Sequence, residues 1–242
     1  MYGLGTLINT VAIVIGGLLG LLFGKLIPER FQETLRKTCG ISVLFIGIAG
    51  ALEGMMTAHN DGSLSSGKAV LIVLCLALGS LVGEILNIED GFEKFGAWLK
   101  KKTGSTKDIN FIDGFVSASF TVCIGAMAIM GAIKDALYGD ISILVTKSIL
   151  DFIIVMIMTG SLGKGCIFSA IPVAILQGSV TALSIFIMPI MTSAALLNLS
   201  MVGSILIFCV GLNLVWGKQV RVANMLPAII FAVAAAFLPF QL

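Results

Sequence analysis

The sequence predicts an all-α, polytopic transmembrane helical bundle, and three observations predict it. Apolar residues fill 58% of the 242 positions, and the mean hydropathy is +1.09. Charged residues make up only 12%, about half the share found in an ordinary soluble domain. The apolar residues also fall in long runs, each close to the roughly 20 residues a helix needs to cross the hydrocarbon core.

Those runs cover residues 4–24, 38–56, 68–87, 111–133, 143–162, 167–190, 195–217 and 222–240. They make seven or eight membrane segments of a single integral domain over residues 1–242. The first run has no Lys or Arg before it and no A-x-A-like site after it, so it reads as a membrane helix rather than a cleaved signal peptide. Basic residues orient the chain. Lys25, Arg30, Arg36 and Lys37 follow the first run, and Lys94, Lys100, Lys101, Lys102 and Lys107 follow the third. Lys164, Lys218 and Arg221 fall on the same side if all eight runs cross, leaving Lys68, Lys134 and Lys147 towards the other. Both termini are then extracytoplasmic, with twelve of fifteen basic residues on the cytoplasmic side.

Two cytoplasmic connections, IPERFQETLRK (27–37) and IEDGFEKFGAWLKKK (88–102), mix charged and apolar residues as short helices lying on a membrane surface do. Each follows a similar span end, GGLLG at 16–20 and GSLVG at 79–83. Each precedes a similar span, with LFIGIAGALEG at 44–54 and TVCIGAMAIMG at 121–131. Residues 4–56 and 68–133 therefore read as two copies of a helix–amphipathic helix–helix unit, the kind of weak internal symmetry common in transporter folds. A third copy over 143–217, followed by a last helix at 222–240, fits only if the run 167–190 is re-entrant. That run contains Pro172, Gln177-Gly178 and several Ser and Thr residues, as a broken helix lining a wet cavity would. Eight crossings are the expected path, and re-entrance is the alternative.

The chemistry centres on Asp151, set in the apolar run ILVTKSILDFIIVMIMTG with Lys147 one turn before it. A charge at the bilayer centre costs at least about 2.5–3.5 kcal/mol, so such residues usually face a bundle interior or a polar cavity. At i and i+4 the two share a helix face. They read either as a structural pair that fixes packing or as an ion, proton or solute site. Buried pairs add little net stability, which keeps the second reading open. Ser169, Gln177, Thr181 and Ser184 form a polar stripe on the sixth run, and Ser117, Thr121 and Gly125 are spaced by four on the fourth. Such stripes serve as interhelical glue or line a cavity. Lys134 and Asp135 close the fourth run as an interfacial pair or as a gate at the outer mouth. Glu84 reads as a solvated carboxylate. Asn9 and Asn213 lie inside apolar runs and need partners, for which neighbouring backbone would suffice. His59 reads as a loop residue.

Other function classes find little support. The five cysteines are dispersed and odd in number, with no CxxC or Cys/His cluster, so neither a disulfide framework nor a metal site is indicated. No zincin, nucleophile-elbow, Walker or dinucleotide motif is present, so no enzyme activity and no cofactor are expected. A net charge of +2 argues neither way about nucleic acid, and no nucleic-acid partner is expected.

TVCIGAMAIMGAIKDAL (121–137) and KSILDFIIVMIMTGSLGKGCIFSAIPVAILQGSVTAL (147–183) resemble the YqgA/YdfK family of prokaryotic multi-pass membrane proteins, described as a domain of unknown function. The resemblance runs over essentially the whole chain, and its specific parts are the KS-x-x-D, SA-x-P and QG elements. Lys147, Asp151, Ser169, Pro172, Gln177, Gly178, Gly125, Lys134 and Asp135 match its pattern. The resemblance implies a single-domain protein of the bacterial plasma (inner) membrane and supplies no substrate. The leading expectation is movement of a small solute or ion across that membrane. Asp151 would bind a cation or proton, Lys147 would compete for its charge, and the Gln177 region would supply polar contacts. The runner-up is a non-transporting scaffold or a lipid- or partner-binding subunit. Flat glycine-rich faces point to a homo-oligomer.

Overall fold

The computed structural model describes residues 3–24, 28–59, 61–124 and 126–237. Lys25, Ile27, Gly125 and the last three residues of the run 222–240 lie outside the described residues. The chain forms α1 (Leu4–Gly24), α2 (Glu29–Met55), a hairpin of β1 (Met56–Ala58) and β2 (Leu64–Ser66), α3 (Ala69–Leu86), α4 (Ile88–Lys102), α5 (Phe111–Cys123) and α6 (Ala126–Tyr138). It continues through α7 (Ser142–Leu162), a 3-10 segment (Lys164–Ser169), α8 (Ala170–Ala182), α9 (Ser184–Ile187), α10 (Ser193–Trp216), α11 (Val222–Met225) and α12 (Pro227–Ala235). The predicted helical membrane class is correct. Among the described residues six helices are long and apolar enough to cross a membrane, and α5 with α6, bent by 59°, makes a seventh if the pair is counted as one span. The eighth run forms only the shorter apolar stretch Val222–Ala235.

Three helix pairs organise the bundle, and glycine sets each contact. Gly5 meets Leu144, Gly16 meets the Phe152 carbonyl and Gly24 the Gly160 carbonyl, so α1 and α7 run parallel in fixed register. Gly40 meets Val215, Gly47 meets Phe208 and Gly54 meets Met201, so α2 and α10 run antiparallel. Gly79 meets Ala228 and Gly83 meets the Asn224 carbonyl, so α3 runs antiparallel to α11 and α12. The motifs GGLLG and GSLVG thus do the same physical work, letting backbones approach where lipid offers no hydrophobic drive for association. A Cβ at Gly16 would lie 2.5 Å from the Phe152 oxygen.

The sixth run crosses the bundle. Ile167 packs on Gly17 near one end of α1, and Thr181 lies beside Gly3 at the other. Hence the 3-10 segment and α8 run along α1 from Gly17 to Gly3 in the opposite sense, the path of a crossing helix rather than of a re-entrant one. Pro172 does not break α8, because it falls in the first turn, where helix N–H groups lack intrahelical partners. The break falls instead in the fourth run, between α5 and α6. Residues 29–37 also differ from expectation, since they continue unbroken into the second span. By contrast, Asn87 in a left-handed conformation (φ 50°) ends α3 and turns the chain into α4, a conformation asparagine tolerates better than most residues.

The surface helix α4 is latched to α11, the short helix before α12. Glu89 accepts a hydrogen bond from the Ala223 N–H (2.9 Å), and the Glu89 N–H donates to Asn224 Oδ1 (2.7 Å). Each side chain caps the start of the other's helix. Lys218 pairs with Glu89 and Glu93, and Arg221 with Glu84, which is half exposed as expected. These contacts place Lys218 and Arg221 at the same end of the bundle as α4. Burial alone would lower the Lys218 ammonium, but its bonds to Glu93 and Glu89 outweigh this and hold it above the ordinary lysine value. The ammonium's side of the pairing is therefore in place at neutral pH and is lost as pH rises through that raised value. Glu89→Ala is expected to cost about 0.5–2 kcal/mol, the usual effect of losing a helix cap, measured as a lower melting temperature in detergent. An unchanged value would mean that water replaces the cap.

Candidate functional site

Asp151 is the tenth of the 21 residues of α7, the middle of a membrane-length helix. It is 3% exposed and Lys147 is 7% exposed. The Lys147 ammonium donates to Asp151 Oδ1 at 2.8 Å, to Asp151 Oδ2 at 2.7 Å and to the Val122 carbonyl at 2.8 Å. Lys147 therefore does not reach outward to water; it turns inward and closes the site. Val122 lies in the last turn of α5, where a helix end leaves four carbonyls without intrahelical partners and carries negative dipole charge. The break in the fourth span thus exposes an acceptor at the depth where the ammonium needs one. Asn9, on α1, donates its Nδ2 to Asp151 Oδ2 at 3.0 Å, and its own Oδ1 is buried without a partner. The site is one carboxylate, one ammonium, one amide and one helix-end carbonyl, drawn from three spans.

Further polar groups extend from it. Gln177 is 1% exposed, and both polar atoms of its amide lack partners. The α1–α8 register puts it level with the turn Thr6–Thr10, where Thr6 Oγ1 is also buried and unpaired. Thr181 Oγ1 is another such atom, towards the open end of α1. On the other side, Thr159 Oγ1 is buried and unpaired two turns beyond Asp151. Thr159 borders a cavity of about 270 Å³ lined by Asp108, Asn110, Ser161 and Gly163. Val155, fully buried, stands between Thr159 and Asp151. Unsatisfied buried polar groups are rare in native proteins and call for a bound water, an ion or a functional role.

The remaining expected residues fall elsewhere. Ser169 Oγ bonds the Cys166 carbonyl, and Thr121 Oγ1 bonds the Ser117 carbonyl, so both are satisfied locally. Lys134 and Asp135 part company. Asp135, fully buried, accepts from the Gly5 N–H at 2.8 Å and caps the start of α1. Lys134 faces Asp140, whose carboxyl lies below its ordinary value through hydrogen bonds from the Ser142 hydroxyl and N–H, with the Lys134 charge adding to them. Asn213 serves a turn, accepting from the Gln219 and Val220 N–H groups. His59 sits by the hairpin beside Ser65, as a loop residue should. Gly178 has nothing within 4 Å of where a Cβ would be, so the QG element is not a close-packing device.

A second cavity, about 860 Å³ and almost wholly apolar, lies between α4, α5, α8 and α12 and reaches Cys123 and Ile124 at the break.

These features define a multi-pass α-helical membrane protein with a polar centre buried among its spans. The chain belongs to the family described as "Protein of unknown function (DUF554)", whose model matches residues 4–237. It is 30% identical over 233 residues to the uncharacterized protein YqgA of Escherichia coli (strain K12), covering 95% of this chain and 94% of that one. It is 28% identical over 233 residues to the uncharacterized membrane protein YdfK of Bacillus subtilis (strain 168), covering 96% and 95%. No solved structure matches.

Proposed function

We propose that this protein moves a small solute or ion across the bacterial plasma membrane, through a polar site centred on Asp151. One observation carries the reading: the Lys147–Asp151 pair meets a helix-end carbonyl at a break in a membrane span. Broken helices that present main-chain groups to a charged ligand near the bilayer centre recur in secondary transporters. The unpaired Gln177, Thr6 and Thr159 groups mark where a solvated path would run on either side, and Val155 closes it. The units 4–56 and 68–133 are read as internal copies, and the protein as a non-enzymatic homo-oligomer in lipid.

The test is melting temperature against a panel of cations, amines and small metabolites, for the native protein and Asp151→Asn. A ligand that binds only the folded state raises stability by mass action. A saturable rise that the substitution abolishes is expected. No rise from any ligand, with Asp151→Asn as stable as the native protein, would remove the site. One observation favours the scaffold reading instead: α4, latched in place, presents Trp98 and Lys102, whose ammonium lies 4.8 Å from the indole ring centre, as a surface for lipid or a partner.

A further inference from the structure

Three contacts around one nitrogen define the chemistry of the site more narrowly. An ammonium carries three N–H donors and no acceptor. Lys147 Nζ has three acceptors at 2.7–2.8 Å: the two Asp151 oxygens and the Val122 carbonyl. Donors and acceptors match one for one, and the carboxylate supplies the compensating charge. Nearby, Asn9 holds Asp151 by its Nδ2 and keeps an unused acceptor, Oδ1, in the dry interior. The arrangement is a cage for R–NH3+, occupied by a side chain of the protein itself.

We propose that the Asp151 site recognises ammonium or a protonated primary amine, and that Lys147 is the tethered ion such a ligand displaces. This rests on reading the Asp151 cluster as a solute site and names its ligand class. Three features support it. Lys147 reaches the cage from the same helix, four residues before Asp151, so the tethered ion and the carboxylate that holds it belong to one span. The acceptor on α5 is a carbonyl freed by the break, so a departing ammonium leaves no helix hydrogen bond to repair. Asn9 Oδ1 is a further buried acceptor, on the amide that already binds Asp151, and Lys147 leaves it unpaired.

The test removes the tether and returns the ion. Lys147→Ala leaves the carboxylate, the carbonyl and the space of the missing side chain. Its melting temperature is measured in methylammonium, ammonium, sodium and tetramethylammonium chlorides at equal ionic strength. Methylammonium and ammonium are expected to raise it by several degrees and saturably. Tetramethylammonium, which has the charge and no N–H, and sodium are expected to do no more than salt does to the native protein. The rise should vanish in Lys147→Ala/Asp151→Asn. Lys147→Ser, which opens the same space, is the second background. If neither variant is recovered folded, both are extracted in methylammonium or tetramethylammonium, and monodisperse protein is expected only from the first. No effect of methylammonium, an equal effect of sodium or tetramethylammonium, or an effect that survives Asp151→Asn would overturn the proposal. A metal cation that stabilises the native protein through Asp151 would also overturn it, while leaving the broader reading of a solute site intact.

Discussion

Replacing Lys147 alone with methionine is expected to destabilise the protein by about 3–5 kcal/mol, because removing one partner of a buried pair leaves an uncompensated charge. The geometry makes the loss compound. Asp151 is 3% exposed, so water does not reach its carboxylate. The Val122 carbonyl loses its partner at the same time, and it too lies on a buried residue. Asn9 remains as a donor, but a neutral amide does not balance a carboxylate. The double variant Lys147→Met/Asp151→Leu is expected to recover most of the loss, since exchanging a whole buried pair for apolar residues is often neutral or stabilising. Reversible unfolding in detergent gives both numbers, and ligand-induced melting shifts give a third. The transport reading expects the double variant to be stable and blind to ligand. A double variant as unstable as the single one would mean that the pair holds the bundle together, and the scaffold reading would gain.

The pair itself was legible because a charge in an apolar run has few harmless explanations. Its surroundings were not. Asn9 lies 142 residues from Asp151 in the chain, and an asparagine in a glycine-rich span has many bland uses. Nothing in the string ANMLP marks Asn224 as the cap of a helix N–H, that of Glu89, 135 residues earlier. The break was misplaced for a physical reason. Pro172 and the Gln177-Gly178 pair look like helix breakers by composition, yet Pro172 falls where a helix start tolerates proline, and Gly178 sits inside a continuous helix. The fourth run carries no proline at its bend, and its glycine, Gly125, is no stronger a signal than Gly178, which sits inside a helix. Lys134 and Asp135 failed as a pair because adjacent residues on a helix point about 100° apart, so one can face the interior while the other meets the interface. The glycine motifs at 16–20 and 79–83 were recognised as alike, and both bring backbones together, but their partners, α7 and α11–α12, came only from the fold.

Substituting Gly20 with valine is expected to be among the most damaging single changes away from the charged pair, and the reason reaches the site. A side chain there would overlap the Met156 carbonyl and lie 3.0 Å from Thr159 Cβ. The obstacle is backbone, which cannot change rotamer, so α1 and α7 must part. Overpacking a filled interior costs about 1–3 kcal/mol and occasionally more, and a branched residue against backbone belongs at the upper end. The same seam carries the 3.0 Å bond from Asn9 to Asp151, three turns away. A rigid α1 that pivots or shifts to make room takes Asn9 with it. Gly20→Val is therefore expected to lose stability and ligand response together. Gly178→Ala is the matched control. It adds one methyl group to open space inside α8 and is expected to stabilise by about 0.5–1 kcal/mol, the helix-interior penalty of glycine. Equal melting temperatures for the two variants would mean that α1 and α7 are not held at the close separation on which the Asn9–Asp151 contact depends.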